Sequence, residues 1–354
     1  MPANIAEING KAAVALAREP AWHGLGTVVD HLMKAEEAFK AAQLGWTVEK
    51  LQLFNRVVAV AAAEGEPQLA DTYDPVDAFG NFRSVDGALL GTCGKMYKPI
   101  QNSQGFELID ALLELADGGA YYETAGALGS GEIVWALARI PDQFRILGGE
   151  EHKLFLMFMT RHDGNGSARC KLVDTRVVCQ NTLSVAIGER GGEVRIAHFG
   201  DVESKIAAAK KLMAATGATV QALEEKLNLL AVQEVTRDLF FATMNQLFPP
   251  DEEKEKAGIE EKARLVKIAD IAELFADNDG NANPAIKGSA LKLLNAVVQY
   301  TDHVIGTDKT RARSAMFGNG DLLKGAALDI ILDATQGAAL RQSIVGYPSS
   351  ASVN

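Results

Sequence analysis

The sequence predicts an α+β fold in which a central antiparallel β-sheet is packed with helices and is followed by a mainly helical C-terminal region. From Tyr121 to Val178 apolar residues alternate with a period of two and the turns are short, which is typical of antiparallel strands. From Asp201 onward apolar residues recur at helical spacing. We therefore expect an α+β domain over residues 1–200, a helical extension over 201–345 that packs on it, and a mobile tail over 346–354.

The segment before residue 121 is expected to mix helices and short strands. The Ala-rich first twenty residues predict a short helix, and AWHGLGTVV at 21–29 predicts a loop that enters an extended segment. Further helices are expected at Glu36–Leu44 and Ser103–Leu115. Strands are expected in TVEKLQLF, RVVAVA, 82–85 and 88–93, whereas EGEPQLADTYDPVDAFGN at 64–81 is rich in turn-forming residues.

The strands of the central sheet are apolar on both faces. Ile133–Ile140 and LFLMFMT at 154–160 carry apolar side chains at odd and even positions, so we expect both faces to be covered. The next strand differs, because Arg169 and Lys171 fall on one side together with Val173. A basic strip is therefore expected where this strand leaves the sheet.

The stretch DTRVVCQNTLSVAI at Asp174–Ile187 predicts a helix with two chemically different faces. Cys179 and Leu183 fall on its apolar side. Its polar side carries Arg176, Gln180 and Ser184, with Asn181 beside them. One face of this helix is expected to pack and the other to bind.

After the hairpin-like segment GGEVRIAHFG at 191–200, the pattern is helical. The expected helices are one or two over Asp201–Leu247, one in DEEKEKAGIEEKARLVKIADIAELF, one at Ala285–Val304 and a last one at Asp321–Thr335.

Charge is distributed unevenly along the chain. The net charge is −11, which argues against a protein that coats nucleic acid through bulk positive charge. Residues 161–211 nevertheless hold nine basic and six acidic side chains, whereas residues 224–279 hold fourteen acidic and seven basic ones. If a polyanion binds, we expect it to bind the middle of the chain.

The glycine, histidine and cysteine spacings do not match known cofactor-binding or metal-binding motifs. Gly126, Gly129 and Gly131 lie in the wrong order and between two strands for a nucleotide loop, so a hairpin turn is predicted. The six histidines show no HxH or HxxxH pair, and the three cysteines match neither a disulfide framework nor a zinc site. We expect no cofactor and no metal. Because no apolar run is long enough to span a bilayer, we expect a cytoplasmic protein without a membrane partner.

Two aromatic or imidazole sites have more than one interpretation. Trp22-His23 beside Gly24 and Gly26 either offers a stacking surface or closes the edge of a core. Asp302-His303 either orients an imidazole beside a basic loop or caps a helix end, which is the favoured interpretation. The basic loop comprises Lys309, Arg311 and Arg313.

Several motifs together resemble those of one protein family. AWHGLGT, DTRVVCQNTL, NAVVQYTDH and the Arg-x-Arg-Ser…Phe-Gly…Leu-Lys segment that ends at Lys324 resemble a family of phage and plasmid proteins described as domain of unknown function 932. The resemblance implies a mobile-element protein of a bacterial host, and it assigns no catalytic residue. The predicted strands that run into one crossing helix also look like the core of phage single-strand annealing recombinases, in which a β-β-β-α unit lines a DNA groove.

The leading functional hypothesis is single-stranded DNA binding, with annealing of strands in recombination or replication as the activity. The expected contacts are Arg161, Arg169, Lys171, Arg176, Gln180 and Asn181, with the basic loop as a further surface. A homo-oligomer would multiply the modest local charge. The alternative is that these arginines merely pair with Asp163, Asp174 and Glu193.

Two other classes of function stay open. An enzyme of unknown reaction would assemble a site from His23, Cys179, His198 and Asp302, although a packed thiol is the favoured interpretation of Cys179. A non-catalytic interaction protein would show neither a basic groove nor a convergent pocket.

Overall fold

A computed structural model describes residues 4–18, 20, 24–58, 71–113, 121–146, 150–176, 182–184, 193–213, 217–251, 253, 261–276, 284–307, 311, 314–315 and 318–336. Within these residues the predicted α+β fold is confirmed. The tail predicted at 346–354 lies outside them.

The main sheet contains eight strands in the order β12-β11-β10-β9-β8-β3-β4, and β13 pairs with β11 beside β12. Its pairs are antiparallel, as predicted, except that β3 and β4 run parallel. The strands are β3 (Val14–Ala17), β4 (Thr27–Val29), β8 (Tyr121–Leu128), β9 (Ile133–Ile146), β10 (Glu150–Arg161), β11 (Ala168–Arg176), β12 (Thr182–Ser184) and β13 (Glu193–Ile196).

Strand β10 runs through the middle of this sheet and is buried on both faces, as its apolar sequence predicts. Leu154, Leu156 and Phe158 point into the main core, which the helices cover. The alternate residues Phe155 and Met157 form a smaller cluster with Val173 on the opposite face. Because neither face of β10 is left to water, functional side chains at this place must come from strand ends.

A second sheet is a three-stranded meander. It consists of β5 (Val48–Val57), β6 (Thr72–Arg83) and β7 (Leu89–Cys93). The turn-rich prediction for 64–81 was wrong over Thr72–Asn81, because Tyr73, Val76 and Phe79 lie in an extended strand despite the interspersed Asp, Pro and Gly residues. Gln52 compensates for an irregularity in β6 by donating its side-chain amide to the carbonyl groups of Val76 and Ala78.

Two glycines allow the meander to approach the main sheet closely. A Cβ atom on Gly91 of β7 would lie 2.4 Å from Cα of Asp163. One on Gly164, which has a φ of +81°, would lie 2.0 Å from the carbonyl oxygen of Thr92. This contact places β7 beside the turn between β10 and β11.

The described helices are α1 (Ala35–Ala41), α2 (Asn102–Leu113), α3 (Val202–Met213), α4 (Gly217–Val232), α5 (Arg237–Leu247), α6 (Lys262–Ala276), α7 (Ala290–Gln299) and α8 (Asn319–Gln336). Helix α7 begins at Ser289, whose side chain accepts a hydrogen bond from the Lys292 backbone N–H, and continues as a π-helical turn at Tyr300–Val304. Side chains of α4, α7 and α8 lie in the same core cluster as those of β10.

The predicted N-terminal helix was wrong. Residues in this segment form two short paired strands, β1 (Glu7–Ile8) and β2 (Lys11–Ala12), and then strand β3. Asn9 and Gly10 have positive φ values, which supports a tight turn between β1 and β2. Alanine has the highest intrinsic helix propensity, but such propensities amount to less than about 1 kcal/mol per residue, and the pairing of β3 with both β4 and β8 outweighs them.

The predicted helix over Asp174–Ile187 was also wrong. Residues 173–175 of β11 pair antiparallel with residues 182–184 of β12, so the described parts of this stretch form a hairpin. The stretch is rich in β-branched residues, and a cross-strand pair of Thr175 with Thr182 suits them better than a helix does. A helix that carries Arg176 and Ser184 on one polar face therefore does not exist.

Among the described residues, no helix is both long and apolar enough to cross a membrane.

Candidate functional sites

The first of the predicted DNA contacts, Arg161, forms an ion pair with an acid. It lies at the end of β10, where its guanidinium forms a bidentate ion pair with the carboxylate of Asp163. Burial raises the pKa of Asp163, but the hydrogen bonds from Arg161 and Asn165 outweigh burial and leave that pKa below its ordinary value. Arg161 therefore stabilises the β10–β11 turn.

Lys171 is buried as well. Its Nζ atom lies 2.6 Å from Oδ2 of Asp321 at the start of α8, and the two side chains are only 6% and 12% exposed. This pair ties β11 to the C-terminal helix across 150 positions of sequence. Lys171 therefore contributes no charge to a solvent-facing strip.

Arg169 keeps a position suited to binding, and β13 adds a second arginine beside it. Arg169 and Arg195 are direct cross-strand partners on β11 and β13. Arg195 is exposed and Arg169 is half-buried, and each also makes a contact within the chain. Side chains directly opposite each other in an antiparallel pair have Cβ atoms about 4.5–5.5 Å apart, so the two guanidinium groups share one face. We call this pair the edge arginines.

Of the remaining predicted contacts, Arg311 is described with its side chain. The side chain of Arg176 lies outside the described residues, as do Gln180, Asn181, Lys309 and Arg313. Arg311 donates to the backbone carbonyl groups of Ile305 and Gly306, at 3.2 Å in both cases. It therefore closes the end of the π-helical turn.

The residues of the proposed enzyme site do not come together where they are described. Asp302 accepts a hydrogen bond from the fully buried Lys324 at 2.8 Å, while the neighbouring His303 is exposed. His198 lies elsewhere, beside Tyr97 and Lys98. Trp22, His23 and Cys179 lie outside the described residues.

A polar cluster that no sequence motif indicates lies where β10, β13, α2 and α3 meet. Its members, which we call the histidine cluster, are Trp46, Tyr97, His162, His198 and Lys205. His162 follows β10 and His198 follows β13, so two turns at the same end of the sheet supply the imidazoles. His162, His198 and Lys205 are 0%, 3% and 6% exposed.

Hydrogen bonds fix the tautomer of His162. The side-chain amide of Asn102 donates to the carbonyl groups of Leu44 and Trp46, at 3.1 and 3.2 Å. Its oxygen must therefore accept from Nε2–H of His162, at 2.9 Å. The Nδ1 atom of His162 then carries a lone pair, and it has no hydrogen-bond partner within the described parts of the chain.

His198 is held in the complementary way. Its Nδ1–H faces the carbonyl oxygen of Lys98 at 3.3 Å, and its ring stacks on that of Tyr97 with centroids 4.7 Å apart. Nε2 consequently carries the lone pair, and it too has no partner among the residues described. The cluster thus contains two buried imidazole nitrogens that are unprotonated and that lack a hydrogen-bond partner in the part of the chain that the structure describes.

Two donor groups that lack acceptors among the described residues accompany these lone pairs. The Nζ atom of Lys205 on α3 lies 4.1 Å from the centre of the Phe199 ring and has no hydrogen-bond acceptor among the described residues. The Nε1–H of Trp46, whose ring meets His162 edge-on at 5.6 Å, is buried and unpartnered in the same sense. Buried polar groups are normally satisfied, so several such groups in one region indicate a ligand or ordered water.

Electrostatics keeps both imidazoles neutral. Burial, with a smaller contribution from the nearby His198, lowers the pKa of His162 to about 3. Burial lowers the pKa of His198 to about 4, against a raising effect of the Lys98 hydrogen bond. Both rings therefore offer lone pairs, not charge, at neutral pH.

A metal site is not supported by the described geometry. Within the described ranges no three His, Cys, Asp or Glu side chains form a group that could hold a metal ion. Cys93 donates its thiol to Asn81, and burial raises the pKa of Cys170 to about 12, so neither thiol is activated.

Sequence reasoning missed the histidine cluster because its members are far apart in the chain. The one available signal was positional. His162 and His198 each lie just beyond an apolar strand, and β10 and β13 both pair with β11, so knowledge of the strand order would have placed them at the same edge.

Comparison with known proteins gives one match. The sequence model of a family described as domain of unknown function (DUF932) matches residues 89–319, close to two thirds of the chain. The span contains the edge arginines and most of the histidine cluster, whereas AWHGLGT and Trp46 precede it. No curated protein and no solved structure matches the chain.

Proposed function

The chain belongs to the DUF932 family, and we propose that it binds single-stranded DNA along the edge arginines of β11 and β13. Within this proposal, annealing of complementary strands is the activity, and the setting is the DNA metabolism of a phage or plasmid in the bacterial cytoplasm. No cofactor is needed, because annealing makes and breaks no covalent bond.

The observation that supports the proposal most is the direct pairing of Arg169 with Arg195. Like charges directly opposite each other on neighbouring strands destabilise a sheet. Two adjacent guanidinium groups, on the other hand, suit successive phosphates, to which arginine binds through paired hydrogen bonds. The exposed Phe199, shortly after Arg195, adds an aromatic ring on which a base can stack.

The structure also reduces the size of the expected effect, because Arg161 and Lys171 are held by acids. With only the edge arginines in contact, a protomer neutralises about two phosphates, so the slope of log affinity against log salt is about −1.4 for a single strand. Such binding is weak in a monomer. The proposal therefore includes a homo-oligomer that aligns several copies of the edge along one strand.

The test is a fluorescence-anisotropy titration of a labelled single strand with wild type and with R169Q/R195Q, at two salt concentrations. We expect the double variant to lose affinity about tenfold or more, and its salt slope to approach zero. R169K/R195K keeps the charge but loses the paired hydrogen bonds, so it should lie between the two.

The matched control is K262Q/K267Q. Both lysines are exposed on α6, and their replacement changes the net charge by the same two units. We expect wild-type affinity for this control. Equal losses in both double variants would reduce the effect to bulk charge, and an unchanged R169Q/R195Q would remove the proposal.

A further inference from the structure

We propose that the histidine cluster is a binding site for a phosphomonoester group, either free phosphate or the terminal phosphate of a nucleotide. The inference is independent of DNA binding at the edge arginines. It depends on buried groups of the cluster that lack partners among the described residues. One of these groups is a cation that needs an anion, and two are lone pairs that need a proton donor.

Lys205 supplies the reason for an anion. Lys205 is only 6% exposed, and its Nζ has no hydrogen-bond acceptor within the described part of the chain. A buried ammonium group without a counter-charge is costly, and the ring of Phe199 at 4.1 Å compensates only in part. Asp163, whose charge acts on both imidazoles, is already paired with Arg161. An oxyanion beside Lys205 would remove this cost.

The imidazoles supply the reason for a phosphomonoester among oxyanions. His162 Nδ1 and His198 Nε2 are acceptors, so a ligand that contacts them must bring a proton or leave one on the ring. Phosphomonoesters have a second pKa near 6, so near neutral pH they can carry a proton and donate it in a hydrogen bond to a neutral imidazole nitrogen. Sulfate and ordinary carboxylates carry no such proton in that range.

The same groups disfavour a metal ion. A divalent cation would take the two lone pairs, but it would be repelled by the Lys205 ammonium group and would find no third ligand of the usual kinds among the described residues.

Phe199 lies on the route by which we expect phosphate to reach Lys205. Its ring lies on Lys205 while 48% of the residue remains exposed, and the adjacent Gly200 has a φ of +72°, a backbone state that glycine adopts readily. A side-chain rotation of Phe199 would open Lys205 to solvent without movement of the sheet. F199A is therefore expected to speed phosphate binding.

The experiment is isothermal titration calorimetry of the full chain with inorganic phosphate, repeated in two buffers of different ionisation enthalpy. We expect binding with net proton uptake, and an affinity that rises as pH falls from about 8 toward about 6. Sulfate should bind about tenfold more weakly or not at all, because it brings no proton.

K205M is the informative variant. It removes the buried charge and keeps the length of the side chain, so without phosphate it should unfold at the same temperature as wild type or higher. We expect phosphate affinity to fall at least about tenfold and the thermal stabilisation by phosphate to disappear. H198Q should retain weaker phosphate binding while proton uptake falls.

The source of the phosphate is resolved with a nucleoside monophosphate and a short oligonucleotide with and without a 5′-phosphate. Binding of inorganic phosphate alone identifies a free-anion site, and preference for the phosphorylated forms identifies a nucleotide end. Any of these supports the proposal.

Three results would overturn the proposal: unchanged phosphate affinity in K205M, equal binding of sulfate without proton uptake, or no binding of any phosphate probe. R169Q/R195Q should leave inorganic phosphate binding unchanged, which separates this site from the DNA-binding edge.

Discussion

The role of a charged or polar side chain in this protein depends on the group that its charge or lone pair contacts. The position of the residue in the sequence does not reveal that group. Arg161, Lys171 and Lys324 are cations that the fold uses in ion pairs with Asp163, Asp321 and Asp302. His162 and His198 are held neutral by burial, and their lone pairs stay unpartnered among the described residues. Residue type alone would have grouped all of these as candidates for binding.

The buried imidazoles predict an acid-sensitive fold. The folded-state pKa values of His162 and His198, about 3 and about 4, lie below the value of about 6.5 for an unfolded chain. As pH falls, the unfolded chain takes up protons first, so stability is full above about pH 6.5 and is lost progressively toward pH 4. Urea midpoints measured across this range should fall, and H162Q should flatten the dependence. A midpoint independent of pH down to about 4 would contradict the burial of these rings.

The ion pair between Lys324 and Asp302 makes a second prediction at this scale. Both side chains are almost fully buried, so K324M leaves a carboxylate in a poorly solvated place. We expect a loss of about 3–5 kcal/mol in the free energy of unfolding, and recovery of most of it in K324M/D302L, where neither charge remains. Denaturant unfolding of the single and double variants measures both values. A double variant no more stable than the single one would show that the pair has further partners of equal weight.

At the scale of elements, strand pairing overrides local preference in two places. The Ala-rich N-terminus and the DTRVVCQNTL stretch both carry helical periodicity, yet β3 and β12 form because neighbouring strands provide hydrogen-bonding partners. Helices α1 and α2 and the β8–β11 meander were predicted correctly, since their periodicity agrees with the packing they meet. Local signals therefore predict an element correctly where they agree with the tertiary contacts, and the tertiary contacts decide where the two disagree.

The docking of the meander on the main sheet predicts a sharp difference between two glycines. In G91A the new methyl group would meet the backbone of Asp163, which cannot yield as a flexible side chain does, so we expect a loss of about 1–3 kcal/mol. In G94A the methyl group meets no atom within 4 Å, and stability should stay the same or rise slightly. Thermal unfolding of the two variants side by side provides the measurement. Equal effects would mean that β7 does not approach the β10–β11 turn this closely.

The whole molecule is held together by a core that both predicted parts of the chain share. Leu156 of β10 lies in one cluster with Leu227 of α4, Leu293 of α7 and Ile331 of α8. The helices therefore cover one face of the sheet, and the ion pair of Lys171 with Asp321 links the two parts as well. Whether residues 1–200 form an independent unit stays a prediction of the sequence, and the shared core argues that they depend on the helices.

This shared core predicts that a fragment of residues 1–200 does not fold alone. The helix-covered face of β10 would be exposed, which favours aggregation or a loosely packed state. Near-ultraviolet circular dichroism of the fragment should lack the sharp aromatic signal of the full chain. Co-expression with residues 201–354 should restore that signal. A fragment with native-like aromatic spectra and cooperative unfolding would establish two independent domains instead.

The sequence by itself determined the α+β class, the antiparallel meander, most helix positions and the family, because these depend on local periodicity and contiguous motifs. It also indicated the basic middle segment that contains Arg169 and Arg195. Only the tertiary structure showed that Arg161 and Lys171 are held in ion pairs and that Arg195 is exposed. It alone brought His162, His198 and Lys205 into one region. The physical reason is that charge pairing and burial depend on distances between residues far apart in the chain. Local patterns in a single sequence do not show these distances.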